Sequence, residues 1–181
     1  MFRPLQLRWW EVANLLGGAT AIVRRSVELH GWESGYTAWV REPFYIDDER
    51  LKGKLPSRKP EWIDSDAIYY RANGTCCQQI PECQCETVGK PRWKPSIQMP
   101  QWASRLTLDV SSAQTMNVQS VSDADAISVG VKLWGDFLGR PEAKAALLFR
   151  SYWTQYHKQK SWEDNDMVCI LTFSGMRITN V

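Results

Sequence analysis

No stretch of this 181-residue chain is apolar for the roughly 18 to 20 residues that a membrane span needs, so an integral membrane protein is not expected. The N-terminus, Met-Phe-Arg-Pro-Leu-Gln-Leu-Arg, lacks an apolar core of signal-peptide length, which points to a cytoplasmic location. Histidine is scarce, with only His30 and His157 present. No Ser/His/Asp or Cys/His set is visible by spacing, which disfavours a histidine-based metal or acyl-transfer enzyme. Charge of one sign is also missing: the net charge is +2, far from a polybasic chain. Glycine and proline number 11 and 9, and 44 % of residues are hydrophobic. That composition excludes collagen and disfavours disorder over the whole chain. The length fits a single domain, 1–181, with an insertion.

Tryptophan is abundant, with ten residues. Large rings bury much area, yet a small domain can hide only so many, so some are expected to line a cleft. Segments 3–7, 21–27, 36–41, 67–72, 106–110, 113–118 and 167–177 read as strands. Residues 9–16 read as an amphipathic helix with Trp9, Val12, Leu15 and Leu16 on one stripe, ended by Gly17-Gly18. Ser122 with Asp125 marks a capped helix that Gly130 closes, and Pro141 suits the first turn of another reaching about His157. Short strands with about three helices between them suggest a small mixed barrel or curled sheet, an α+β fold. Residues 47–66 read as a loop and 73–95 as an inserted loop.

Two kinds of cluster carry possible chemistry. Cys76, Cys77, Cys83 and Cys85 lie close together in the inserted loop. Four thiolates can close a tetrahedral structural zinc site, although this is not the usual pair of Cys-x-x-Cys knuckles. The alternative is a loop of reduced thiols. Cys169 reads as a small core residue. Two basic stretches follow. Arg50, Lys52, Lys54, Arg58 and Lys59 lie in 50–60 without an acid. Lys90, Arg92, Lys94 and Arg105 lie in 87–108, again without an acid and interleaved with Trp93 and Trp102. Cations meet phosphates and flat rings stack on unpaired bases, so these stretches point to RNA or single strands. The plainer alternative is a solvated loop.

Several segments together resemble phage- and prophage-encoded proteins with an ASCH domain, a PUA-like fold. They include Leu15-Leu16-Gly17-Gly18 before Arg24-Arg25, Trp39-Val40-Arg41-Glu42, Tyr70-Arg71-Ala72 and Trp93-Lys94-Pro95-Ser96-Ile97. The most specific is Met99-Pro100-Gln101-Trp102-Ala103-Ser104-Arg105, and Ser161-Trp162-Glu163-x-Asn165 comes late in the chain. The resemblance implies a PUA-like mixed β-barrel and an RNA-related role. One branch deacetylates acetylcytidine, using a Lys and a Thr in a Lys-Thr-x-Thr-x-Arg stretch and a later Glu. This chain departs there. Thr20 stands at the Lys position, Ala21 and Val23 replace the two Thr, and Val129 falls where the Glu belongs. Methyl and isopropyl groups transfer no protons.

The leading expectation is therefore a non-catalytic binding protein of host cytoplasm. Its nucleic-acid face would use Arg24, Arg25, Arg41, Arg71, Arg92, Trp93, Lys94, Trp102, Ser104 and Arg105. A phage inhibitor of a host defence or nuclease protein is the second expectation, and an amidohydrolase on modified nucleosides the third.

Overall fold

The computed structural model describes residues 1–46, 55–63, 67–73, 93–137, 139 and 143–179. Its class is α+β. A five-stranded mixed sheet runs in the order β1 (Phe2–Gln6), β3 (Thr37–Arg41), β6 (Leu106–Asn117), β7 (Met167–Ile178), β2 (Ala21–Arg25). A separate pair joins β4 (Phe44–Ile46) to β5 (Ile68–Tyr70). Helices are α1 (Trp9–Leu16), α2 (Asp123–Ser128), α3 (Val131–Phe137), α4 (Ala145–Tyr156) and α5 (Gln159–Glu163). None of them is long and apolar enough to cross a membrane.

β1 pairs with β3 in parallel, with Pro4 opposite Trp39, while β2 pairs with β7 antiparallel. β6 and β7 are also antiparallel: Thr179 N–H donates to the Arg105 carbonyl, and Val118 N–H donates to that of Asp166. Among the described residues this sheet is open, with β1 and β2 as its edges, and the expected barrel is not closed. The reason lies in pairing. The expected strand at 67–72 is spent on a two-stranded ladder with Phe44–Ile46, which the sequence pattern did not show.

The chain forms two compact units. One comprises residues 1, 14–36 and 109–175, and the other the described parts of 2–13, 37–108 and 176–181. The long strands β6 and β7 contribute to both.

In the first unit, Val168, Cys169, Ile170 and Leu171 of β7 are all buried, as are Ala21, Ile22 and Val23 of β2. Leu148, Phe149, Tyr152 and Trp153 supply the buried stripe of α4. Ser122 caps α2 as expected: its Oγ accepts from Asp125 N–H at 3.1 Å. Gly130 ends α2 at φ +90°, a left-handed conformation that glycine adopts without a Cβ clash. The chain then re-enters a helix at Val131, so α3 appears where none was expected. α5 is likewise additional, and α4 starts at Ala145 rather than near Pro141, which lies outside the described residues. The two strands expected at 106–110 and 113–118 are one continuous β6. Ser111, read as part of the break, instead donates from Oγ to the Thr172 carbonyl at 3.1 Å.

In the second unit, burial alternates along the start of β6, whereas Ala38, Trp39 and Val40 of β3 are all buried. Leu5, Leu7, Ala38, Val40, Leu106 and Leu108 are buried on one face. A neighbouring core joins Phe44, Ile46, Ile63, Ile68, Tyr70, Met99 and Ala103, with Trp102 packed against it. At the start of α1, Arg8 N–H donates to Glu11 Oε2 at 2.7 Å, which satisfies a free donor of the first turn. Val12 and Leu15 of α1 are buried as expected, but Trp9 is 37 % exposed, off the apolar stripe assigned to it.

Candidate functional site

The outward positions of the second unit's sheet carry a groove of about 380 Å³. Its sheet side is formed by Phe2, Trp39, Thr107 and Thr179. They come from β1, β3, β6 and the residue after β7, and those four strands are neighbours in order. The remaining wall comes from the short helical turn Gln101–Ala103 and its flank, through Gln101, Trp102 and Ser104, with Lys59 supplying a cation. Pro100 begins that turn in extended conformation, and Ala103 N–H closes it on the Pro100 carbonyl at 3.1 Å. The volume falls within the range of small-ligand pockets.

Trp102 is half-buried and fixed: its Nε1–H donates to the Pro56 carbonyl at 2.9 Å. Ser104 Oγ lies 2.8 Å from the Val40 carbonyl and 3.2 Å from that of Leu106, so its hydroxyl proton is committed to backbone. Arg105 turns away from solvent. Its Nε donates to Glu42 Oε1 at 2.8 Å, Nη2 to Glu42 Oε2 at 3.0 Å, and Nη1 to Asn73 Oδ1 at 2.6 Å. Its guanidinium carbon sits 4.1 Å from the centre of the Tyr70 ring. Arg105, expected on the nucleic-acid face, therefore serves the protein itself.

Burial pushes the Glu42 carboxyl above its ordinary value, and the hydrogen bond and charge of Arg105 oppose that rise. Burial raises the Tyr70 hydroxyl too, followed by the Glu42 charge, with Arg105 again opposing. Tyr70 thus stays protonated and donates to the Ala103 carbonyl at 3.0 Å, bracing the turn that carries Trp102.

Arg41 stacks its guanidinium 4.7 Å over the ring of the groove residue Trp39. Among the described residues its buried Nε has no hydrogen-bond acceptor. An unsatisfied buried donor is unusual and costs about 1–3 kcal/mol. Arg71 is exposed, with its guanidinium 5.5 Å from the Trp9 ring centre. Trp93 is half-buried, and the Lys94 backbone bridges to Phe44.

Arg24 and Arg25 belong to the other unit, on β2. Both face Glu28: Arg24 Nη1 at 3.8 Å and Arg25 Nε at 3.2 Å. At two of the positions that the ASCH resemblance sets against catalytic groups, Val23 and Val129 are buried core residues. Thr20 is held by backbone bonds, its N–H to the Ser128 carbonyl and its carbonyl to Phe173 N–H, both at 2.8 Å. Arg92 and the set Cys76, Cys77, Cys83 and Cys85 lie outside the described residues. Among the described residues, no group of three or more His, Cys, Asp or Glu is placed to hold a metal ion. Cys169 is buried in β7.

Sequence reasoning named Trp102 and Ser104 and placed Lys59 in a basic stretch, but missed Phe2, Trp39, Gln101, Thr107 and Thr179 as groove residues. Thr107 stands between the buried Leu106 and Leu108, so strand alternation was the signal that it faces outward. No protein-family model matches the chain, and neither a curated protein nor a solved structure matches it.

Proposed function

We propose that this chain is a non-catalytic binding protein for RNA or single-stranded nucleic acid, with the groove at Trp102 as its contact face. The observation that carries this reading is the placement of the half-buried Trp102 indole and the exposed Lys59 on one groove of about 380 Å³, with the buried Trp39 behind them in its sheet side. Indole faces stack on unpaired bases and an ammonium meets a phosphate, which is the chemistry a single strand needs. Gln101, Thr107 and Thr179 add polar groups for base edges or sugar hydroxyls. The ASCH-type, PUA-like kinship and a phage origin are part of this proposal, and they rest on the segments from Leu15-Leu16-Gly17-Gly18 to Ser161-Trp162-Glu163.

The absence of proton-transfer groups at Val23 and Val129 supports binding over amidohydrolase chemistry at those positions. The reading is tested by titrating labelled single-stranded RNA into wild type, Trp102→Ala and Lys59→Gln at several salt concentrations. Trp102→Ala should weaken binding roughly 5-fold or more, the effect of losing one stacked base. Lys59→Gln should flatten the slope of log K against log salt by about 0.7. Wild-type affinity that is indifferent to salt, or a Trp102→Ala variant that binds as wild type does, would reject the groove as a nucleic-acid face.

A further inference from the structure

A second aromatic-cation array lies in the same unit, at the start of α1. Four side chains form a ladder: Arg8, Trp10, Trp9, Arg71. The Arg8 guanidinium carbon is 5.3 Å from the Trp10 ring centre. Trp10 and Trp9 meet edge to face at 5.8 Å and 88°. The Arg71 guanidinium carbon lies 5.5 Å from the Trp9 ring centre. Trp9 and Arg71 are exposed, and Arg8 and Trp10 half-buried. The neighbouring carboxylate, Glu11, is buried, and its Oε2 takes the Arg8 N–H. The exposed members of the ladder, Trp9 and Arg71, are one aromatic and one cationic side chain.

Exposed cation–π contacts contribute only about 0.5–1 kcal/mol each. The buried side of α1 is already supplied by Val12 and Leu15. Trp9 at the surface, with Arg71 beside it, supplies a flat aromatic surface for a base and N–H groups for phosphates. Arginine serves both uses, since its plane stacks while its edge donates.

We infer that the ladder Arg8–Trp10–Trp9–Arg71 is a second contact strip for single-stranded nucleic acid, engaged by strands too long for the groove alone. The inference rests on the proposed nucleic-acid reading and extends it. The strip sets a minimum ligand length for full affinity.

The test uses the full chain with labelled oligouridylates of about 4 and about 16 nucleotides, the span of site sizes known for single-strand binders. Variants are Trp9→Ala, Arg71→Gln and Trp102→Ala, with circular dichroism as the folding control. Trp9→Ala should weaken the long oligomer roughly 5-fold or more and leave the short one unchanged. Arg71→Gln should lower the salt slope for the long oligomer by about 0.7, again without touching the short one. Long-oligomer binding unchanged in both variants would overturn the strip while leaving the groove in place. Weakening by Trp9→Ala but none by Trp102→Ala would keep the strip and reject the groove. Polyglutamate competing as well as the long oligomer would overturn base stacking and reduce the ladder to a bare cation patch. Wild type that binds neither oligomer would overturn both.

Discussion

Arg105 and Glu42 meet as a two-point fork, with Nε on Oε1 at 2.8 Å and Nη2 on Oε2 at 3.0 Å. The Glu42 side chain is 1 % exposed and that of Arg105 11 %, so both charges are withdrawn from water. A fork of this geometry is strong because two charge-assisted bonds act in parallel and fix orientation. It ties the segment after the Trp102 turn to the end of β3.

Removing either partner leaves the other buried and uncompensated. Arg105→Ala and Glu42→Ala should each lower unfolding free energy by about 3–5 kcal/mol. Urea denaturation checks this, and a loss under about 1 kcal/mol would mean the pair behaves like a solvent-exposed one. Arg105→Lys should recover little, because an ammonium cannot reproduce the planar fork.

Glu42 also predicts a pH dependence. Burial raises its carboxyl above the ordinary 4.5, so the folded chain holds this proton more tightly than the unfolded chain. The group's contribution to stability is therefore full below its ordinary value and declines as pH rises through the folded value. The stability of wild type relative to Glu42→Gln, measured from about pH 4 to about pH 7, should fall with rising pH. A difference that grows with pH would show that the Arg105 charge outweighs burial.

Gly130 sits at φ +90°, and a Cβ there would come within 3.1 Å of the Asn14 side chain. Asn14 Nδ2 donates to the Val129 carbonyl at 3.3 Å, so that side chain is not free to swing aside without losing a bond. Gly130→Ala should cost about 1–2 kcal/mol from the left-handed backbone alone. In a thermal melt this is a drop of roughly 2–4 °C per kcal/mol. An unchanged Tm would mean that the α2–α3 junction relaxes to another conformation.

Burial pushes the Cys169 thiol above its ordinary range, with a hydrogen bond to Thr115 opposing. The thiolate is the reactive form, so Cys169 should resist alkylation in the native protein. Mass spectrometry that resolves labelling by peptide reads this directly. Rapid native labelling of the Cys169 peptide would show that β7 opens locally.

Local signals were legible in the sequence, and pairings over long distances were not. The bounds of α1 and the Ser122 cap follow from residues within one or two turns. The Gly130 stop was equally legible, but nothing in its neighbourhood said that Val131 begins a helix at once. Periodicity placed Trp9 on the α1 stripe, because a repeat alone does not say which stripe members a neighbour covers. The pairing of Phe44–Ile46 with Ile68–Tyr70 joins short segments far apart in sequence, and it removed the strand needed for a barrel. Arg105 shows the limit for the site. An arginine beside a tryptophan reads the same whether its partner is a phosphate or a buried carboxylate, and only the fold brings Glu42 to it. The groove floor depends on strand order, which no single segment encodes.

The bond from Trp102 to the Pro56 carbonyl has a kinetic consequence. The indole's single donor is occupied before any ligand arrives, so the ring is presented already oriented, with only its faces and edges to offer. On the proposed nucleic-acid reading, an incoming strand would not wait for this wall to order itself, and encounter would be governed by diffusion and by attraction to cations such as Lys59. Differences among ligands then fall on how long each one stays, so residence time is the quantity in which this wall of the groove expresses preference.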